Sequence, residues 1–490
     1  MLIFKTIFSR IMAVNPVQRQ SIISFIWKIA LVFIGFLSTM YFARTVGASV
    51  LGGYFLFIAY FGIISLVSDG GFGGAAIKRI SEGEEEDAYF SAFFVLRSLF
   101  LIVFITALLI FKEYFVNLNN AGVFNWLLAA LIVSLIYGAV NNAIAGRGKI
   151  GIQATCVFIN DLTRIFLQIA AVILGYGVAG LAGGFVAGMI VATLISLRFF
   201  DLHFVRFRWR HIKSLYTFSF WLFLTSSGVI VYSYADTVMI GYYMSNSDVG
   251  VYQIVVQFAL LASLATTSLQ VTLWPKVSHW NKIGETNKIV NSLSRAITFA
   301  LLLAIPLCIG GILLGDKLLY YFYGPDFVQG YAVLVILLSV QIINVFQLFF
   351  VSYLGAVDMQ KDAFKVTSVS ALVNIVLNAI LIPLIGITGA AIATFVTLLM
   401  NGLLARQVLT KKITIALESE SLMNIIKASM GMGLVVSIYR VFMTMSNIWL
   451  SLTPVLIGVG VYGFLILRLD KKIRQELKGI FMKRNTEGFE

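Results

Sequence analysis

The sequence predicts an all-α membrane protein of about fourteen transmembrane helices, arranged as two parallel six-helix repeats followed by two further helices. Three observations predict it. The 490 residues are 60% hydrophobic and only 12% charged, where a soluble domain carries roughly 25% charged residues. Apolar runs of about 20 residues, each able to cross a ~30 Å hydrocarbon core as a helix, recur along the whole chain. The chain also matches itself, first at an offset of 198 residues and then at 209.

In chain order, residues 1–20 come first. Ile3, Phe4, Ile7, Phe8, Ile11 and Met12 share one helical face with Lys5 and Arg10 beside it. That pattern predicts a helix lying in the membrane interface, ended at Asn15-Pro16, rather than a cleavable signal. Spans are expected at 21–43, 50–77, 89–111, 122–145, 152–174 and 178–199, giving a first bundle over 21–200. A basic cytoplasmic linker, 201–214, precedes spans at 215–240, 250–273, 291–314, 329–354, 364–385 and 388–409, a second bundle over 215–410. Spans at 424–443 and 448–467 lie within 411–467, and a basic cytoplasmic tail occupies 468–490. Connections are short, and no soluble domain interrupts them.

Basic residues orient the chain. With the N-terminus inside, the outer connections hold only Arg44, Lys112, Lys317 and Arg440. Lys28, Arg97, Arg164 and Arg295 lie within spans, and the other 28 of the 36 Lys and Arg residues fall on the inner side. Both termini are therefore expected in the cytoplasm, in a multi-pass protein of the plasma (inner) membrane. Topology and anionic lipid account for the net charge of +14, without nucleic acid.

The repeat fixes the architecture. Gly52, Tyr54, Lys78 and Arg97 meet Gly250, Tyr252, Lys276 and Arg295 at the first offset. Gly146, Gly177 and Gly180 meet Gly355, Gly386 and Gly389 at the second, after an insertion near "YGPDF", residues 323–327. Six spans per unit give both halves the same orientation, as in transporters with parallel repeats. The repeat also interprets "DGGFGGAAIKR", residues 69–79, where Gly71-x-Gly73-x-x-Ala76 imitates a dinucleotide loop. Its twin, "TTSLQVTLWPK" from Thr266 to Lys276, keeps the lysine and has no glycine. A nucleotide loop follows a short strand, whereas a long apolar helix precedes this one. The glycines are expected to let the inner end of span 2 pack closely on a neighbour. The small-residue ladder Gly180, Gly184 and Gly188 in span 6 reads the same way.

Chemistry is sparse. Cys156 and Cys308 fall inside apolar runs, and His203, His211 and His279 in polar connections. No catalytic constellation or metal spacing can be assembled from them, so neither a metal nor a cofactor is expected, and no enzyme.

"FARTVGASVLGGYFLF" resembles the first outer turn of the polysaccharide flippases. "SDGGFGGAAIKRIS" is similar to the end of their second span, and "FYGPDFVQGYAVL" to the turn before their tenth. Spans 1 to 12 carry the resemblance. It implies the O-antigen type branch of the multidrug/oligosaccharidyl-lipid/polysaccharide exporter superfamily. The implied function is alternating-access flipping of a polyprenyl-linked oligosaccharide or polysaccharide repeat unit from the inner to the outer leaflet. The implied partners are the lipid-linked oligosaccharide, membrane lipids and a polysaccharide polymerase or glycosyltransferases, with the flippase itself a monomer. A cation-coupled exporter of drugs or small molecules is the alternative within the superfamily. A membrane glycosyltransferase or ligase would need a larger outer domain with catalytic carboxylates.

Ionisable residues inside spans are costly and point to function. Lys28, Arg97, Arg164 and Arg295 are candidate substrate-binding residues, since a guanidinium suits a diphosphate or an acidic sugar. Arg97 and Arg295 could instead snorkel to the inner headgroups. Asp161 and Arg164, at i and i+3, share a helical face and can pair. Asp161, Asp69 and Asp236 are candidates for ion coupling or structural pairing, the last two also as span-end caps. Amides at Asn141, Asn142, Asn160, Gln253, Gln257, Asn344, Asn374 and Asn378 are numerous for apolar spans, and some are expected to line a wet cavity.

Overall fold

A run of apolar residues buried in lipid has no water to satisfy its backbone, so helix is the form it takes. The computed structural model describes residues 16–476, without the side chains of 16–25, 29, 221, 222 and 224–232. The proposed interfacial helix up to residue 15 and the tail beyond 476 lie outside the described residues. All regular elements among the described residues are helical.

The first part of the chain forms α1 (Pro16–Asp69), α2 (Phe72–Ser81), α3 (Glu86–Ile110), α4 (Val116–Asn120), α5 (Phe124–Gly146), α6 (Ile150–Ile173), α7 (Gly177–Ser196) and α8 (Trp209–Tyr243). Then come α9 (Asn246–Leu260), α10 (Leu264–Lys282), α11 (Thr286–Tyr323), α12 (Tyr331–Ala356), α13 (Gln360–Ile385), α14 (Ile387–Leu409), α15 (Ser419–Phe442) and α16 (Ile448–Leu469). Twelve helices among the described residues are long and apolar enough to cross a membrane. The expected fourteen would add a second crossing within α1 and one from α8. At 54 residues α1 is about 80 Å long, and Gly47 (φ 75°, ψ 178°) breaks it where the sequence places the first outer turn.

The chain divides into two compact units, Met1–Gly250 and Val251–Glu490. This division falls after α8, whereas the sequence places the linker before it. The reason is packing: α8 lies against α1, α2 and α3. In the first unit, Phe72, Ile80, Phe90, Phe93 and Leu215 form one buried cluster. In the second, Leu293, Ile297, Phe349, Tyr353 and Leu409 form another.

The glycines of "DGGFGG" do two jobs. Gly70 (φ 55°) and Gly71 (φ 79°) take left-handed conformations that end α1 and start α2, so span 2 is not continuous to residue 77. Close packing accompanies the turn. A Cβ on Gly71 would lie 2.5 Å from the Ser219 carbonyl oxygen of α8, and one on Gly73 would lie 2.6 Å from Asn142 Nδ2 of α5. The ladder in α7 packs as expected. Side chains at Gly180, Gly184 and Gly188 would strike Ala171, Gln168 and Arg164 of α6 at 2.8, 2.6 and 2.9 Å.

Candidate functional site

Two ion pairs lie within the apolar part of the first unit. The shorter is local: Arg164 Nη2 is 3.1 Å from Asp161 Oδ1 on α6, as the i, i+3 spacing predicts. Gln168, four residues further on, continues the same face and donates to the Leu181 carbonyl of α7 at 2.7 Å. Tyr54 of α1 hydrogen-bonds Gln168 and feels both charges. Tyr137 of α5 lies within their field too. The Arg164 guanidinium is 6.0 Å from the Phe185 ring centre, and Phe185 stacks edge-on with Phe57 and Phe61 at 5.5 and 5.1 Å. The side chains of Arg164 and Asp161 remain 26% and 21% exposed. Arg164 Nε is buried with no acceptor among the described residues. The face thus combines a reachable guanidinium, an unused donor and a counter-ion that can give way.

The second pair joins separate elements. Arg97 of α3 places Nε 3.4 Å from Asp69 Oδ1, at the end of α1. The backbone N–H of Gly73 donates to Asp69 Oδ2 at 3.1 Å. Gly138 of α5 makes room, since a Cβ there would collide with the guanidinium. The Arg97 side chain is only 9% exposed, so neither headgroups nor water reach much of it. Its Nη1 is likewise buried without an acceptor among the described residues. Removing Asp69 would strand the buried Arg97 charge, which costs about 3–5 kcal/mol.

The structure does not gather the four candidate bases. Arg97 lies against Gly138 of α5 and pairs with Asp69, whereas Arg164 pairs with Asp161 on its own helix, α6. Lys28 is exposed, while its neighbour Trp27 stacks on Phe158 of α6 with ring centres 4.0 Å apart. Arg295 is 53% exposed and pairs with Glu476 of the tail. Asp236 is buried in α8. Sequence reasoning missed the Asp69–Arg97 pair, because 28 residues separate its members and no short-range spacing joins them. It also missed Tyr54, although the 161, 164, 168 face is legible as a helical period.

Four of the amides are interior. Asn141, Asn160, Asn374 and Asn378 are 5%, 8%, 1% and 0% exposed, so these four sit inside the helix packing, where Asn141 and Asn160 bond within α5 and α6. Asn374 Nδ2 donates to Thr397 Oγ1 at 3.2 Å, and Asn378 Nδ2 to Asn374 Oδ1 at 3.0 Å. On α12, Gln347 Nε2 donates to Asn401 Oδ1 of α14 at 3.0 Å.

At the basic-rich end of the first unit, the acidic run 82–87 holds the segment between α7 and α8. Glu85 pairs with Arg210 and accepts from His211 Nε2 at 2.9 Å. His211 Nδ1 accepts the Arg208 backbone N–H at 2.9 Å, which fixes the tautomer with the proton on Nε2. The His211 hydrogen bond, followed by the Arg210 charge, holds the Glu85 carboxyl below its usual range. Asp201 is held down similarly, first by its hydrogen bond from Lys149 and then by Arg147.

Comparison with known proteins agrees with this frame. A family model described as "Polysaccharide biosynthesis protein" matches residues 17–281, and one described as "MatE" matches 222–380. The chain is 28% identical over 400 residues to the probable low-salt glycan biosynthesis flippase Agl15 of Haloferax volcanii, covering 82% of this chain and 85% of that one. It is 25% identical over 467 residues to the probable flippase AglR of the same organism, covering 94% and 97%. Among solved structures, the lipid II flippase MurJ in an inward closed conformation superposes with a TM-score of 0.77 at 20% identity, over 92% of this chain and 99% of that one. That likeness establishes the fold, all-α with no strand among the described residues.

Proposed function

We propose, for a chain that belongs to the polysaccharide biosynthesis protein family, that it flips a polyprenyl-linked oligosaccharide or repeat unit from the inner to the outer leaflet by alternating access. The resemblance to two named flippases over most of their length supports this. The observation that carries it to particular residues is the Asp161–Arg164 pair, about a quarter exposed, with its unused Nε–H. In this reading a phosphate or acidic sugar of the head group displaces Asp161 from Arg164. The guanidinium then offers two parallel donors, while Tyr54 and Gln168, buried behind it, hold α6 in place. Arg97, enclosed with Asp69, serves structure rather than the substrate. Lys28 and Arg295 are proposed to meet lipid headgroups. The protein sits in the plasma membrane with both termini in the cytoplasm, in line with the 28 basic residues on one side. The match to the "MatE" model keeps the exporter reading in play. Such an exporter would depend on Asp161 rather than on Arg164.

Complementation of glycan export at matched protein levels distinguishes the two readings. Arg164→Ala should abolish export and Arg164→Lys should retain part of it, because charge survives and bidentate geometry does not. Normal export by Arg164→Ala would remove the residue from the mechanism. Loss with Asp161→Ala alone would favour the exporter.

A further inference from the structure

The second unit carries a cationic cavity at the end of its helices opposite the basic-rich connections. It has a volume of about 350 Å3 and is lined by Lys317, Arg440, Val441 and the turn from Met443 to Ser446. Only four basic residues are expected on that side of the whole chain, and two of them line this one cavity.

Their environments differ. Arg440 Nη2 pairs with Asp316 Oδ2 at 3.0 Å, and its Nη1 donates to the Leu313 carbonyl. These contacts fix the α15 end against α11. Lys317 has no carboxylate within ion-pairing distance among the described residues, so the cavity keeps one uncompensated positive charge. The hydroxyls of Thr444 and Ser446 stand beside it, ahead of the first turn of α16. Large apolar side chains flank the polar floor: Val441 and Phe442 are each 79% exposed, and Trp449 is 75% exposed. Such exposure suits hydrocarbon and not water. A cationic floor beside an apolar flank matches an amphiphile with a phosphate.

We propose that this cavity binds the phosphate group of an anionic membrane lipid, with Lys317 and Arg440 on the phosphate and the chains against Val441, Phe442 and Trp449. It is a site separate from Asp161 and Arg164, and its occupancy does not depend on the flipping reading. Lipid held there would dock the α15–α16 pair, which lies outside the repeats, against α11.

Native mass spectrometry of the full chain, in detergent with equimolar phosphatidylglycerol and phosphatidylcholine, tests it. The wild type should retain phosphatidylglycerol preferentially. Lys317→Gln should reduce that preference about fivefold, the usual effect of one basic residue at a lipid surface. Arg440→Gln with Asp316→Asn, which leaves no stranded carboxylate, should reduce it further. Lys317 is unpaired, so its variant carries the test should the double variant fail to fold. Equal retention of both lipids by the wild type, or an unchanged preference in Lys317→Gln, would overturn the proposal. So would millimolar inorganic phosphate displacing nothing from the wild type while protecting it, and not Lys317→Gln, against heat, since the cavity would then take a free anion.

Discussion

The two units repeat one helical plan but are held together differently. Spans 5 and 6 of the first unit, α6 and α7, meet around charge: Asp161, Arg164 and the Gln168 hydrogen bond. Their twins in the second unit, α13 and α14, meet around amides, with Asn374 bonded to Thr397 and Asn378. The offset of 209 pairs Gly188 with Thr397. In the first unit the glycine leaves space for the stem of Arg164, and a Cβ there would lie 2.9 Å from Arg164 Cβ. In the second the same position supplies a hydroxyl. Arg97 and Arg295 differ in the same sense, since the residue equivalent to Asp69 is Thr267, and Arg295 turns outward to Glu476. One copy of the repeat has kept a charged interior while the other has become a neutral, hydrogen-bonded one. Buried charge is costly unless used, which supports the proposal that the substrate chemistry lies in the first unit.

The largest expected effect follows from the arginine twins. Asp69→Leu should destabilise the protein by about 3–5 kcal/mol, because Arg97, 9% exposed, is left without its counter-ion. Arg295→Met should cost less than about 1 kcal/mol, as expected for an exposed pair. Arg97→Met combined with Asp69→Leu should recover most of the loss. Thermal unfolding in detergent reads all three. Equal losses in the two single variants would erase the distinction between the units.

Much of this was legible in the sequence. Helices, repeat, insertion and the Asp161–Arg164 pair follow from periods of three to four residues and from fixed offsets, which are local or translational signals. The turn at Gly70 and Gly71 was half legible: the sequence shows crowding glycines but not positive φ. The Asp69–Arg97 pair, the place of Tyr54 beside Gln168, and the amide ties were not legible. Each depends on which face of one helix meets which face of another, and uniformly apolar spans carry little facial pattern to reveal it. The same lack of pattern hid which of the eight amides are interior.

A smaller effect sharpens the comparison from the second unit. Asn374→Ala removes the bond to Thr397 and the one accepted from Asn378, at a cost of about 1–3 kcal/mol, with the lower end usual between membrane helices. Export should persist at permissive temperature, because these amides hold helices and not substrate. Arg164→Ala should do the converse, keeping protein level while losing export. Loss of export by Asn374→Ala at normal protein level would bring the second unit's interior into the substrate path.

The smallest effect concerns the inner connections. In the first unit, the segment between α7 and α8 and the first turn of α8 are strapped to the start of α3 by Glu85 with Arg210 and His211 and by Asp87 Oδ1 accepting the His203 backbone N–H at 2.9 Å, and to the turn between α5 and α6 by Asp201 with Lys149 and Arg147. The turn of the second unit that corresponds to the acidic run, after α10, has a local Lys288–Glu285 pair at 2.9 Å. Glu85 and Asp201 both have depressed pKa values in the folded protein. Their contribution is therefore complete above the ordinary carboxylate pKa of about 4, and it is lost as pH falls through the depressed values. These carboxylates are exposed, so the change is local. Hydrogen exchange, corrected for intrinsic rates, should show residues 200–211 protected from neutral pH down to that range and opening below it, with little change at 283–288. Glu85→Gln should reproduce the opening at neutral pH, since a neutral amide cannot hold Arg210 by charge. Protection of 200–211 that is indifferent both to acid and to Glu85→Gln would assign the docking of this segment to Phe90, Phe200 and Phe204, whose rings meet at 5.0 and 5.3 Å, and leave the acidic run without a structural part.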